Sequence, residues 1–199
     1  MSRSSTYPSK VLDKVEGQSY FHFRPSVSYL FSLVTDADFS DIKNTKILSR
    51  AYPHYIPWYS ASKGGGAITL GNSNWSRIYF TENFFSQDQE LFKTSAYANN
   101  IGVWLRLASH EVSHIAHAKR FKSIIIYLTV FIYQYIIYGH DKAPLEIEAD
   151  AGTLKYHRFA HYIKMQSGMT IFNLLESDKS EEEKIAFIRD AWSRYNTIA

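Results

Sequence analysis

Residues 101 to about 122 leave this chain little choice of local structure. Ile101, Trp104, Leu105, Ala108, Val112, Ile115 and Ala116 recur mostly at spacings of three and four. That is the stripe of an amphipathic helix lying on a core. Asn100 stands just before it and reads as an N-cap, accepting from the free N–H groups of the first turn. The rest of the chain must supply the surface that covers the stripe.

The other side of this helix carries His110-Glu111-Val112-Ser113-His114. Four residues turn a helix by about 400°. Both imidazoles therefore leave one face, one turn apart, spaced to grip a single ion. Glu111 is rotated about 100° from His110, so it reaches a water on that ion without being a ligand. Zinc lowers the pKa of such a water to about 7, and a nearby carboxylate takes the proton. The competing reading is a solvated helix face with two incidental histidines and a glutamate. The cleanly apolar opposite face and a suitable third ligand downstream argue against it.

That third ligand is constrained by what is missing. The chain has no cysteine, which excludes thiolate ligands, a thiol nucleophile and a disulfide scaffold. A third histidine in the pattern H-E-x-x-H-x-x-G-x-x-H would fall on Arg120, and His117 stands where the glycine belongs. A carboxylate on a second helix remains. Pro144 suits the first turn of a helix running from Leu145 to about His161. Glu146 and Asp150 lie four apart on one face of it. Glu146 then ligates the metal, and Asp150 accepts a hydrogen bond from the free N–H of a ligand imidazole. Glu148 sits about 200° from Glu146 and is expected to point elsewhere and matter little. The competing reading is acidic residues favouring a helix N-terminus.

Around these helices the chain reads as one mainly helical α+β domain over residues 1–199. Residues 1–25 read as an irregular lead-in packing through Tyr20, Phe21 and Phe23. Pro25 opens a short helix over 26–34, and 41–51 reads as another. Pro53 and Pro57 bracket an aromatic loop, and Lys63-Gly64-Gly65-Gly66 is a break. Residues 67–70 and 77–80 are short strands joined by the turn residues Gly71-Asn72-Ser73-Asn74. Ser180 and Glu183 form a capping box for a last helix burying Ile185, Ile188, Trp192 and Tyr195.

The most apolar stretch, residues 124–137, covers about 21 Å as a helix, short of the ~30 Å hydrocarbon core of a bilayer. It is read as a helix buried against the stripe of 101–122. An interfacial or membrane-inserted segment and a central strand pair are the alternatives, so membrane association is not the favoured reading. The N-terminus lacks the apolar stretch of a secretory signal, which makes the cytoplasm the default address, with signal-independent export as the alternative. A net charge of +3 is too small to argue for nucleic acid as a partner.

HExxH followed by a helix bearing E-x-x-x-D resembles the gluzincin class of zinc metallopeptidases. Glu146-x-Glu148-Ala149-Asp150 is similar to the E-x-x-A-D element of CAAX-processing and heat-shock membrane proteases. The stretch AITLGNSNWSRIYFTENFF with LASHEVSHIAH is similar to soluble bacterial peptidase-type domains of toxin and contractile-injection proteins. The resemblance covers about residues 67–160. It implies a zincin-like fold, with an active-site helix and a ligand helix packed on a small sheet. It also implies zinc on His110, His114 and Glu146, Glu111 as general base and Asp150 behind a ligand. A peptide or protein substrate would add to a sheet edge as an extra strand, at 67–70 or 77–80.

A donor for the charge that builds on the scissile carbonyl oxygen is also needed. His140 and Tyr138, before Pro144, are candidates. His157 is a third, but it lies about 16 Å along a straight helix from Glu146. The 31 residues between His114 and Glu146 are unusually apolar, and the multiple spans of the membrane proteases are missing. A zinc metallopeptidase is the leading reading. A non-catalytic zincin-fold binding or toxin-system accessory protein and a membrane-associated protease are the alternatives.

Overall fold

The stripe of the long helix is covered by a sheet on one side and by helices on the other. The computed structural model describes residues 10–49, 67–80 and 101–198. Its strands are β1 (Leu12–Lys14), β2 (Phe21–Phe23), β3 (Lys46–Ser49), β4 (Ala67–Gly71) and β5 (Ser76–Phe80). They form one mixed sheet in the order β1-β2-β3-β5-β4. β3 and β5 run parallel, with Ile47 opposite Ile78, and the other neighbours are antiparallel. The helices among the described residues are α1 (Pro25–Val34), α2 (Phe39–Asn44), α3 (Ile101–Phe121), α4 (Ile124–Tyr138), α5 (Pro144–Ser167), α6 (Ile171–Glu176) and α7 (Glu181–Ile198). The chain is thus mainly helical with a small mixed sheet, an α+β arrangement.

Trp104, Leu105, Ala108, Val112 and Ile115 of α3 are buried in one cluster with Phe23, Phe31, Ile47, Ile78 and Phe80. Phe159 and Ile163 of α5 and Ile188 of α7 join the same cluster. The Trp104 ring lies 5.3 Å from that of Phe80 and 6.1 Å from that of Phe23. Three hydrogen bonds fix the start of α7. The capping box forms as read: Ser180 N donates to Glu183 Oε2 at 2.7 Å, and Glu183 N donates to Ser180 Oγ at 3.2 Å. Ser26 N, free at the start of α1, donates to Glu181 Oε2 at 2.8 Å.

Four readings of the sequence change. The N-terminal lead-in is not irregular throughout: β1 and β2 lie within it, and Val11, Leu12 and Phe23 are buried. Strands of three residues are too short to show a period. The helix read over 41–51 stops at Asn44. Thr45 turns extended, and Ile47 pairs with Phe21 and Ile78. The ligand-bearing helix runs on past His161 to Ser167, ending at Gly168 in the left-handed region. The Asn100 cap, the aromatic loop and the glycine break lie outside the described residues.

The fourth change concerns residues 124–137. They are helical, but only Tyr127 of α4 is buried. Ile125 and Ile136 are each 74% exposed, and Ile126, Ile132 and Ile137 are exposed with them. The cause is the break at Lys122, which adopts φ +59° and turns α4 119° away from α3. The stripe of α3 is filled by the sheet and α5, so α4 finds only a small cluster of Tyr127 with Ala118 and Leu145. None of the described helices is by itself long and apolar enough to cross a membrane. α3 and α4 reach that length and composition only as a bent pair.

α5 crosses α3 at very close range. A Cβ on Gly152 would overlap Ser113 Oγ and stand 3.4 Å from Thr35 Cγ2. Glycine is required there by proximity and not by its backbone angles. Gly152→Ala is therefore expected to lower stability by about 1–3 kcal/mol, the usual cost of overpacking, read as a lower urea midpoint. Ser113→Ala in the same chain should restore part of the loss, because Ser113 Oγ is what the added methyl meets. Equal midpoints for the single and double variants would show that this contact does not set the helix spacing.

Candidate metal centre

Helix periodicity on α3 brings His110 and His114 to one face, and the tight crossing of α5 brings Glu146 over them. His110 Nε2 and His114 Nε2 are 3.2 Å apart. Glu146 Oε2 lies 3.0 Å from His110 Nε2, and Glu146 Oε1 lies 3.6 Å from His114 Nε2. Atoms bound tetrahedrally to one zinc at ~2.0–2.1 Å stand about 3.3 Å from each other. The three edges bracket that value. His110, His114 and Glu146 thus form a group that could hold one metal ion, and two imidazoles with one carboxylate suit zinc. Neither Glu146 nor His114 is open to solvent, while His110 is partly so.

The charges agree with the distances. Burial alone would raise the Glu146 carboxyl. Hydrogen bonds from both imidazoles, and their charge, outweigh it and hold the group well below the usual carboxylate range. Burial alone would lower His110. The hydrogen bond to Glu146 and the charges of Glu111, Glu146 and Asp150 win, and its pKa rises to about 9. A buried carboxylate without such partners would be costly.

Glu111 is buried beside the group and held by the sheet. Thr69 Oγ1 of β4 lies 2.8 Å from both Glu111 Oε2 and the Glu111 carbonyl oxygen. Thr69 itself is buried. Sequence reasoning passed over it. The signal was there in β4, where Thr69 alternates with the apolar Ile68 and Leu70 and so faces the other way. Among the described residues, the sheet order also separates two strands that the sequence left equivalent: β4 is terminal and β5 is internal.

Asp150 stands where it was expected, with Oδ1 3.0 Å from His110 Nδ1. Glu148 points off the Glu146 face as expected and is half exposed, yet α3 supplies it with partners. Its Oε2 accepts from Arg120 Nη2 at 2.6 Å and lies 3.1 Å from His117 Nε2. A rotation of 200° takes a side chain off one face of α5, but α3 places a histidine and an arginine on the face it reaches.

Of the three candidate donors, the structure brings one to the centre. His140 Nε2 lies 3.6 Å from Glu146 Oε2, in the short turn His140–Lys142. Neither Tyr138 nor His157 has a hydrogen bond or ion pair with the three grouped residues. Tyr127 was missed, hidden in the apolar run. Its phenol is buried, and burial followed by the charges of Glu111 and Glu146 pushes its pKa up.

No family model matches this chain, and no curated protein or solved structure is significantly similar to it. What the centre does has to be read from its own geometry.

Two outcomes are expected of the centre. Metal uptake must displace the proton from His110, since a ligand imidazole is neutral. With that group raised to about 9, apparent zinc affinity should fall close to tenfold per unit between about pH 9 and pH 7. An unperturbed imidazole would leave affinity flat down to about pH 6.5. Chelator-competition titrations across that range decide it, and a flat profile would mean that Glu146 does not hold His110. Asp150→Ala should weaken zinc binding by about 10–100-fold while leaving one ion per chain.

Proposed function

We propose that the protein is a zinc-dependent metallopeptidase of the gluzincin type, with a zincin-like pairing of α3 and α5 over the sheet. The observation that carries this reading is Glu111 fixed by Thr69 beside a His/His/Glu group. That is a base positioned next to an ion-binding set without belonging to it. Zinc on His110, His114 and Glu146 would supply a water of lowered pKa and polarise the scissile carbonyl.

The remaining work falls to this chain's own groups. The Glu111 carboxylate accepts a proton from the attacking water and returns it to the leaving amine nitrogen. Thr69 prevents the carboxylate from swinging away. The His140 imidazole donates to the carbonyl oxygen as negative charge develops there. An extended peptide hydrogen-bonds along the terminal strand β4, which gives affinity through main-chain groups with little sequence choice.

Glu111→Gln should lower peptidase turnover by about 100–10,000-fold with zinc content unchanged, whereas His114→Ala should lose the zinc. Turnover on unstructured peptide is the assay. Full activity in the Glu111→Gln protein would overturn the assignment. A zinc-loaded wild-type protein that cleaves no peptide would favour the non-catalytic alternative.

The exposed face of α4 favours a second reading, in which the same centre works at a lipid surface. Ile125, Ile126, Thr129, Ile132, Tyr133, Ile136 and Ile137 form one exposed stripe, and α4 carries no charged residue. Exposed lysines, Lys122 and Lys142, stand beyond its two ends. Such a helix, about 22 Å long, suits the plane of a membrane interface. The His114 and Phe131 rings are 6.2 Å apart, so α4 adjoins the centre. Wild type should co-sediment with vesicles of mixed zwitterionic and anionic phospholipid. Ile125→Glu with Ile136→Glu should abolish that without loss of zinc. Equal sedimentation of the two proteins would remove this reading.

A further inference from the structure

The ligand row on α3 does not stop at His114. His110, His114, His117 and Arg120 follow one another at spacings of four, three and three, and so share one face. His117 and Arg120 are the two positions that rule out a third histidine ligand of the longer pattern. Both are in contact with Glu148 of α5.

We propose that His117 and Glu148 are positioning residues that fix the tautomer and ring orientation of His114. The inference rests on the reading of His114 as a metal ligand. His114 Nε2 faces His110 and Glu146, and His114 Nδ1 faces His117 Nδ1 at 3.1 Å. An Nε2 lone pair free for a metal puts the proton of a neutral His114 on Nδ1. That N–H must donate, and the nearest acceptor is His117 Nδ1. His117 then carries its own proton on Nε2, which faces Glu148 Oε2 at 3.1 Å.

The donor and acceptor count closes in only this direction. The reverse would give His117 protons on both nitrogens and leave His114 with its proton on the metal side. The His117 ring is almost wholly buried, its side chain 4% exposed, so its nitrogens have to be satisfied by the chain. Arg120 holds the far end, donating from Nη2 and Nη1 to the two Glu148 oxygens. The two ligand histidines are therefore backed differently. His110 meets a carboxylate directly, while His114 meets one through a second imidazole.

The test is zinc affinity by chelator competition, together with ring-nitrogen NMR of the zinc-loaded protein. His117→Phe should weaken zinc by about 10–100-fold, in the range of losses seen behind metal ligands. His117→Gln should recover part of that, because its amide oxygen can accept from His114 Nδ1–H. Glu148→Gln should add little to His117→Phe, since both act on one ligand. Asp150→Asn should add its full effect to either, since it acts on the other. NMR should find the His117 proton on Nε2 and the His114 proton on Nδ1. A purely structural His117 would cost the zinc-free and zinc-bound forms equal stability and leave affinity unchanged, and that result overturns the proposal. So does a His117 proton on Nδ1. Wild-type protein that binds no zinc would remove the metal reading itself, a failure visible before any variant is made.

Discussion

The centre depends on how closely two helices approach. α3 carries two imidazoles, and α5 must bring a carboxylate to within about a hydrogen bond of both. Gly152, six residues after Glu146 and two after Asp150, sits against Ser113 with no room for a Cβ. Ser113 lies one residue before His114, so this tight contact is next to the grouped residues. A larger residue there would push α5 outward and lengthen the His–Glu edges, which now stand at 3.0 and 3.6 Å. The electrostatics depend on the same distance. A buried Glu146 is stable as an anion only while both imidazoles reach it.

The sheet contributes by constraint as much as by covering the core. β4, terminal among the described strands, lies along α3, and its Thr69 reaches Glu111 beside the centre. A glutamate next to a metal group would otherwise be drawn into the ligand set, because carboxylates bind zinc well. On the proposed reading, a hydroxyl hydrogen-bonded to Glu111 Oε2 opposes that and would keep the base distinct from the ligands. The division between Glu146 and Glu111 therefore comes from their neighbours, since both are buried glutamates beside the same imidazoles.

His110, His114, Glu146 and Asp150 were legible in the sequence because each pair is four residues apart within a single helix. That spacing fixes relative direction without knowledge of tertiary structure. What failed needed knowledge of a second element. Glu148 was placed correctly around α5, yet its partners come from α3. Thr69 matters only because β4 packs against α3. The run at 124–137 was rightly read as short of a span, but its composition could not say that the stripe of α3 would already be covered. β1 and β2 are three residues each, and their identity lies in partners rather than in pattern.

Exposure divides the centre into an inner and an outer half. His114, His117 and Glu146 are shut away, while the side chains of Asp150 and His140 are 68% and 58% exposed. Among the described residues, the centre is therefore open to solvent on the side of His110, Asp150 and His140. On that side the buried groups meet exposed ones. The proposed relay through His117 belongs to the buried half, where the His117 side chain is 4% exposed. Asp150, by contrast, meets His110 from the exposed half. α4 borders this opening through Phe131 and Tyr135, whose rings lie 6.2 Å from His114 and 6.1 Å from His140. The uncovered apolar stripe thus runs along a helix that already touches both halves of the centre. Anything that settles on the stripe would meet the opening next.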